Sequence, residues 1–149
     1  MNFSRASISA AMIGIALALG ACGMTPMMSG GSALTAQLAG SSEVPPTTSN
    51  ASGTASATLN KQTNELSWTV TYSGLSGPAT AAHFHGPAMP GQNAGVVVPI
   101  TGSLVSPIKG AAMLTALQAA EVTAGRWYVN VHTAANPNGE IRGQVTVQP

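Results

Sequence analysis

The tightest constraint on the fold is the alternation between residues 65 and 72. Leu66, Trp68, Val70 and Tyr72 fall on one side of an extended chain, and Glu65, Ser67, Thr69 and Thr71 on the other. Successive side chains of a strand point to opposite faces, so this stretch is a half-buried strand whose apolar side needs a core. Residues 54–59 alternate small side chains just before it, and the polar stretch 60–64 turns one into the other as a hairpin. Elsewhere glycine and proline cut the chain into short pieces. Strands are expected at 33–39, 80–85, 96–100, 126–133 and 140–147, with another strand or two within 104–113. Pro99 has no N–H to give a ladder and puts its strand at a sheet edge or a bulge. Only residues 115–124 leave the period of two. There Leu114, Leu117 and Val122 have helical spacing, Thr115 is a candidate N-cap and Gly125 a stop. The expected class is therefore all-β, an antiparallel sandwich or small barrel in one domain, with one short helix near 115–124.

Residues 1–21 read as an address and not as part of that domain. Arg5 supplies a short positive region, residues 8–19 an apolar run too short to span a bilayer comfortably, and Leu19-Gly20-Ala21 the small residues before Cys22. This resembles a bacterial lipoprotein signal peptide, in which Cys22 is lipidated and becomes the first residue of the mature chain. The expected address is the bacterial cell envelope, and no aspartate follows Cys22 to argue for retention in the inner membrane. The chain is expected to be lipid-anchored in the outer membrane, facing the periplasm or the surface. Residues 22–31, rich in Pro, Met, Ser and Gly, read as a flexible tether. Its Met24, Met27 and Met28 are soft enough to touch copper(I), although tether alone accounts for them. The folded domain is expected over 32–149.

Cys22 is the one cysteine in the 149 residues. Once lipidated it leaves the domain without a thiol, which excludes a disulfide and thiolate catalysis. The mature chain sets Lys61, Lys109, Arg126 and Arg142 against Glu43, Glu65, Glu121 and Glu140, a formal charge of zero. Electrostatic capture of nucleic acid is excluded by that balance. The chain has no aspartate, so calcium loops and paired-carboxylate hydrolysis are poorly supplied. No nucleophile elbow, phosphate loop or cofactor fingerprint is visible, so an enzyme of this sequence would have to be a metal enzyme.

What the chain does have is three histidines in two strands of matching pattern. In Ala82-His83-Phe84-His85-Gly86-Pro87 the two imidazoles share a strand face, about 6.5–7 Å apart along the backbone. In Trp127-Tyr128-Val129-Asn130-Val131-His132-Thr133 the valines take one face, and Tyr128, Asn130 and His132 the other. If the strands are neighbours, His83, His85 and His132 form a site for one copper or zinc ion. Imidazole suits both, and affinity among divalent ions peaks at copper. The competing reading makes the histidines structural, donating to backbone carbonyls under the glycine-rich loop 86–95. Around them, Glu140 could orient a histidine or act as a base, and Arg142 attract an anion. Alternatively those two form an ion pair that fixes sheet register. Glu43 is either a ligand, a partner of Arg142 or a solvated loop carboxylate. Trp68 and Trp127 read as core, whereas Tyr128 and Asn130 lie on the histidine face.

Five segments carry a family resemblance: Glu43-Val44-Pro45-Pro46, Ser73-Gly74-Leu75, Ala82-His83-Phe84-His85-Gly86-Pro87, Tyr128-Val129-Asn130-Val131-His132-Thr133 and Asn136-Pro137-Asn138-Gly139-Glu140-Ile141-Arg142-Gly143-Gln144. In order and spacing they resemble the CHRD domain, a module named after chordin that also occurs singly in bacterial secreted proteins, and the likeness runs from Ala33 to Val147. It implies a β-rich, immunoglobulin-like domain and suits a non-enzymatic adhesion or protein-interaction module. The His83-Phe84-His85 step is also similar to the copper-ligand strand of copper-zinc superoxide dismutase. This chain departs from that enzyme in lacking its disulfide, its zinc-binding aspartate and its fourth copper histidine. Three expectations follow: an envelope domain binding a transition metal for storage, delivery or protection, an interaction module with structural histidines, and a dismutase-like redox protein.

Overall fold

A computed structural model describes residues 30–149. The expected signal peptide, Cys22, the three tether methionines and the tether up to residue 29 lie outside the described residues. The elements run β1 (Gly31–Ala39), a 3-10 turn (Gly40–Ser42), β2 (Ser52–Asn60), β3 (Glu65–Ser73), β4 (Ala79–His85), β5 (Val96–Pro99), β6 (Ile108–Met113), α1 (Ala116–Thr123), β7 (Trp127–Thr133) and β8 (Ile141–Val147). All strand pairs are antiparallel, in the order β5-β4-β7-β8-β1-β2-β3-β6. This single sheet curls into a nearly closed barrel, the second of the two expected architectures.

Local rules account for most of the elements. Leu66, Trp68 and Val70 of β3 are buried, with Tyr72 packed against the same core. β5 is one edge of the sheet and carries Pro99, and the ladder between β4 and β5 shifts register between Phe84 and His85. α1 opens on a capping box: Thr115 Oγ1 accepts from Gln118 N at 3.2 Å, and Gln118 Oε1 accepts from Thr115 N at 2.8 Å. Gly125, with φ +71°, follows its end.

Residues 104–113 hold one strand, Ile108–Met113, the smaller of the two expected numbers, because Ser106-Pro107 interrupts the ladder before it. One local expectation is corrected. Leu117 is 67% exposed and is not on the buried side of α1, which is formed by Ala119, Glu121 and Val122.

The core lies inside the barrel, and it sorts β4 and β7 by face. Ala82 and Phe84 pair with Val131 and Val129, and all four are buried in the core cluster. His83 therefore stands opposite Asn130, His85 opposite Tyr128, and Ala81 opposite His132 on the outer face. Beyond His85 the chain must cross the Trp127 indole. A Cβ on Gly86 would strike that ring, so the close passage requires glycine.

Candidate metal centre

Strand pairing brings the three imidazoles to one place. Each of His83, His85 and His132 offers one ring nitrogen, and these atoms lie within 4.8 Å of one another. His83 Nδ1 is 3.0 Å from His132 Nε2. Asn130 sits centrally among them, with Oδ1 3.1 Å from His85 Nε2 and 3.0 Å from His132 Nε2. Tetrahedral nitrogen ligands about 2.0–2.1 Å from an ion stand roughly 3.3–3.4 Å apart. The tightest pair, at 3.0 Å, lies slightly inside that spacing, and closing the widest takes a movement of about 1.4 Å or less. His83 is the half-buried ring of the three, so it has room to move.

Two of the rings are locked from behind. His85 Nδ1 lies 3.0 Å from Ala94 O, and His132 Nδ1 lies 3.0 Å from Pro137 O. A carbonyl only accepts, so both Nδ1 atoms carry the proton and both Nε2 atoms present lone pairs to the centre. A backbone carbonyl on the far nitrogen is the usual support of a metal-bound histidine. The structural reading of the histidines expected such carbonyls under loop 86–95, and they are present. They also prepare the rings as ligands. Burial lowers the pKa of each ring from its ordinary 6.5, and the neighbouring His132 adds to this at His83 and His85. Neutral rings are the form that ligates.

The remaining expected residues divide into two groups. Tyr128 stacks parallel on His85 with ring centroids 4.7 Å apart, and Arg142 lies over its other face, Cζ 3.3 Å from the centroid. Arg142 also donates to Asn93 Oδ1 at 3.0 Å and to Gln92 O at 2.5 Å, tying loop 86–95 against β8. Glu43 is buried, which corrects its reading as a solvated carboxylate, and it does not join the imidazole cluster. Burial raises its pKa to about 7 against the pull of Arg142, the Val44 N–H and the Asn130 amide.

Glu140 lies apart and overturns the expected pair with Arg142. Its carboxylate accepts from Ser49 Oγ at 2.7 Å, Ser76 N at 2.8 Å, Ser76 Oγ at 2.5 Å and Thr133 Oγ1 at 2.6 Å. Burial opposes the charge, but these donors outweigh it and hold the carboxyl at about 2. The single salt bridge among the described residues is Arg126–Glu121 at 3.8 Å. The physical reason is supply: four donors already satisfy the charged Glu140, and an aromatic face and two loop oxygens already satisfy Arg142.

Ala94 O, Pro137 O, Gln92, Asn93, Ser49 and Ser76 were not singled out from the sequence. Backbone carbonyls carry no residue signature, although the glycine-rich loop and the Asn136-Pro137-Asn138-Gly139 turn do mark the segments that supply the first two. Gly139 has φ +123°, and a Cβ there would strike Glu43 Oε1 and stand 2.9 Å from Asn130 Nδ2. The turn thus leaves Glu43 and Asn130 room to meet.

Among known families, the model described as CHRD domain matches residues 34–145. No curated protein and no solved structure matches the chain.

Proposed function

The chain belongs to the CHRD domain family, and on that scaffold we propose that it binds one transition-metal ion, copper or zinc, through His83, His85 and His132. A fold of this kind does not carry a function by itself, so the case rests on the site. One observation carries it. Lone pairs on neutral rings, two of them fixed in tautomer by Ala94 O and Pro137 O, converge within 4.8 Å of one another beside the Asn130 carbonyl oxygen. A cluster of acceptors gains most from a cation at its centre. Storage, delivery or sequestration of the ion is the role such a site serves on a scaffold without a nucleophile or cofactor fingerprint.

The signal sequence supports an envelope address, with Cys22 lipidated and the domain tethered to the outer membrane. The formal neutrality of the mature chain is in keeping with attachment by lipid and not by charge.

The test is calorimetric titration of metal-stripped protein, made without an affinity tag, with Zn(II) and Cu(II). The expected result is close to one equivalent bound by the wild type and none by the His83→Ala, His85→Ala, His132→Ala triple variant. Identical isotherms for the two proteins would remove the reading.

A further inference from the structure

Asn130 is 2% exposed at the middle of β7, and as placed its side-chain oxygen faces two ring nitrogens that have no proton to give it. Its Oδ1 faces His85 Nε2 and His132 Nε2 at 3.1 and 3.0 Å. Because Ala94 O and Pro137 O hold the protons on the far nitrogens, His85 Nε2 and Asn130 Oδ1 meet as two acceptors with no donor between them, while His132 Nε2 can also take a proton from His83 Nδ1 at 3.0 Å. Buried polar atoms are nearly always paired, and one that is not calls for an explanation such as an ion. On the amide side stands Glu43, near enough for the Asn130 amide to favour its charged form, with its buried Oε1 making no close hydrogen bond. Asn130 Nδ2 and Glu43 Oε1 border the same small space beside Gly139. An amide next to a carboxylate turns its NH2 towards it, which directs the oxygen at the histidines.

We propose that Asn130 Oδ1 is the fourth ligand of the ion, completing an N3O donor set, and that Glu43 is the positioning residue that keeps that oxygen facing inward. This rests on the three-histidine reading and goes beyond it in naming the ion class. Amide oxygen is a hard donor and imidazole a borderline one, so the set favours a divalent ion, Zn(II) or Cu(II), over Cu(I), which prefers sulfur. Gly139 belongs to the device because any side chain there would push Glu43 and Asn130 apart.

The experiment uses the mature chain, metal-stripped, with Zn(II) competed against a chromophoric chelator and Co(II) read by its visible absorption. Wild type is expected to give the intense d–d bands of four-coordinate Co(II). Asn130→Ala should weaken Zn(II) at least tenfold and change the Co(II) spectrum, while Asn130→Asp, which keeps an oxygen ligand, retains both. Glu43→Leu should weaken binding when residue 130 is Asn, because the amide is then free to turn. With Asn130→Asp it should strengthen binding, because it removes a like charge. Far-UV circular dichroism checks folding, and the Asn130→Asp pair decides the matter if the Ala variant does not fold. Unchanged affinity and spectrum in Asn130→Ala, or the same effect of Glu43→Leu in both backgrounds, would overturn the proposal and leave three-histidine binding intact. Wild type that takes up no more Zn(II) or Co(II) than the triple histidine variant overturns the metal reading itself.

Discussion

Glu140 offers the most quantitative test of how this fold is held together, because it is a buried carboxylate with no cation beside it. Charge-assisted hydrogen bonds contribute roughly 1.5–3 kcal/mol each, so its four donors outweigh the cost of desolvating one carboxylate. The net appears as the gap between its ordinary value of 4.5 and about 2 in the fold. At about 1.4 kcal/mol per tenfold change in proton affinity, that gap is worth on the order of 3 kcal/mol. The cover over the carboxylate is thin, since Ser76 is exposed and Ser49 half-buried. Solvent screening brings the figure to about 2–3 kcal/mol. A carboxyl with a depressed folded pKa stabilises the fold above its unfolded value and loses that contribution as pH falls, here between about 4.5 and 2.

The perturbation is Glu140→Gln, which keeps one oxygen for the Ser49 hydroxyl and the Ser76 N–H while the Ser76 and Thr133 hydroxyls turn to accept from its amide. The assay is urea unfolding of metal-free protein followed by the fluorescence of the buried Trp68 and Trp127, at steps from pH 7 to pH 2. The variant should be about 2–3 kcal/mol less stable at pH 7 and converge on wild type near pH 2. Burial of Glu43 and of the histidines also shapes each curve, but equally in both proteins, so the difference isolates Glu140. Parallel profiles from pH 5 to pH 2 would refute the argument that these donors hold a charged carboxylate.

Gly139→Ala combines a positive φ with a Cβ against Glu43. It should cost about 1–3 kcal/mol in thermal melts and weaken Zn(II) binding in the same preparation, and a wild-type melting temperature would contradict this. Because burial holds the three imidazoles below 6.5, Zn(II) uptake should persist down to pH 6.5 and fall away only at lower pH. Half-loss above 6.5 in equilibrium dialysis would mean the rings are not neutral in the fold. Cys22→Ser should move the protein from the membrane to the soluble envelope fraction and abolish labelling by a palmitate analogue, whereas unchanged fractionation would refute the lipid anchor.

Much of what depended on neighbours in sequence was legible before the structure. The period of two in β3, the Thr115 N-cap of α1 and the placing of His83 and His85 on the face opposite Phe84 all follow from short-range geometry. Long-range order was decided elsewhere. β4 and β7 are more than forty residues apart, and nothing in either strand names the other as its neighbour. Packing of Ala82 and Phe84 against Val131 and Val129 sets their register, which puts Asn130, and not a histidine, directly across from His83. Glu140 and Arg142 show the limit most clearly. Two opposite charges two residues apart read as a pair, yet each found better partners brought in by distant segments: hydroxyls from residues 49, 76 and 133 for one, and the Tyr128 ring and loop oxygens for the other. Sequence alone determined the strands and their faces because side-chain alternation is local. The tertiary structure chose who meets whom, because contact between distant segments is settled by the packing of the whole barrel.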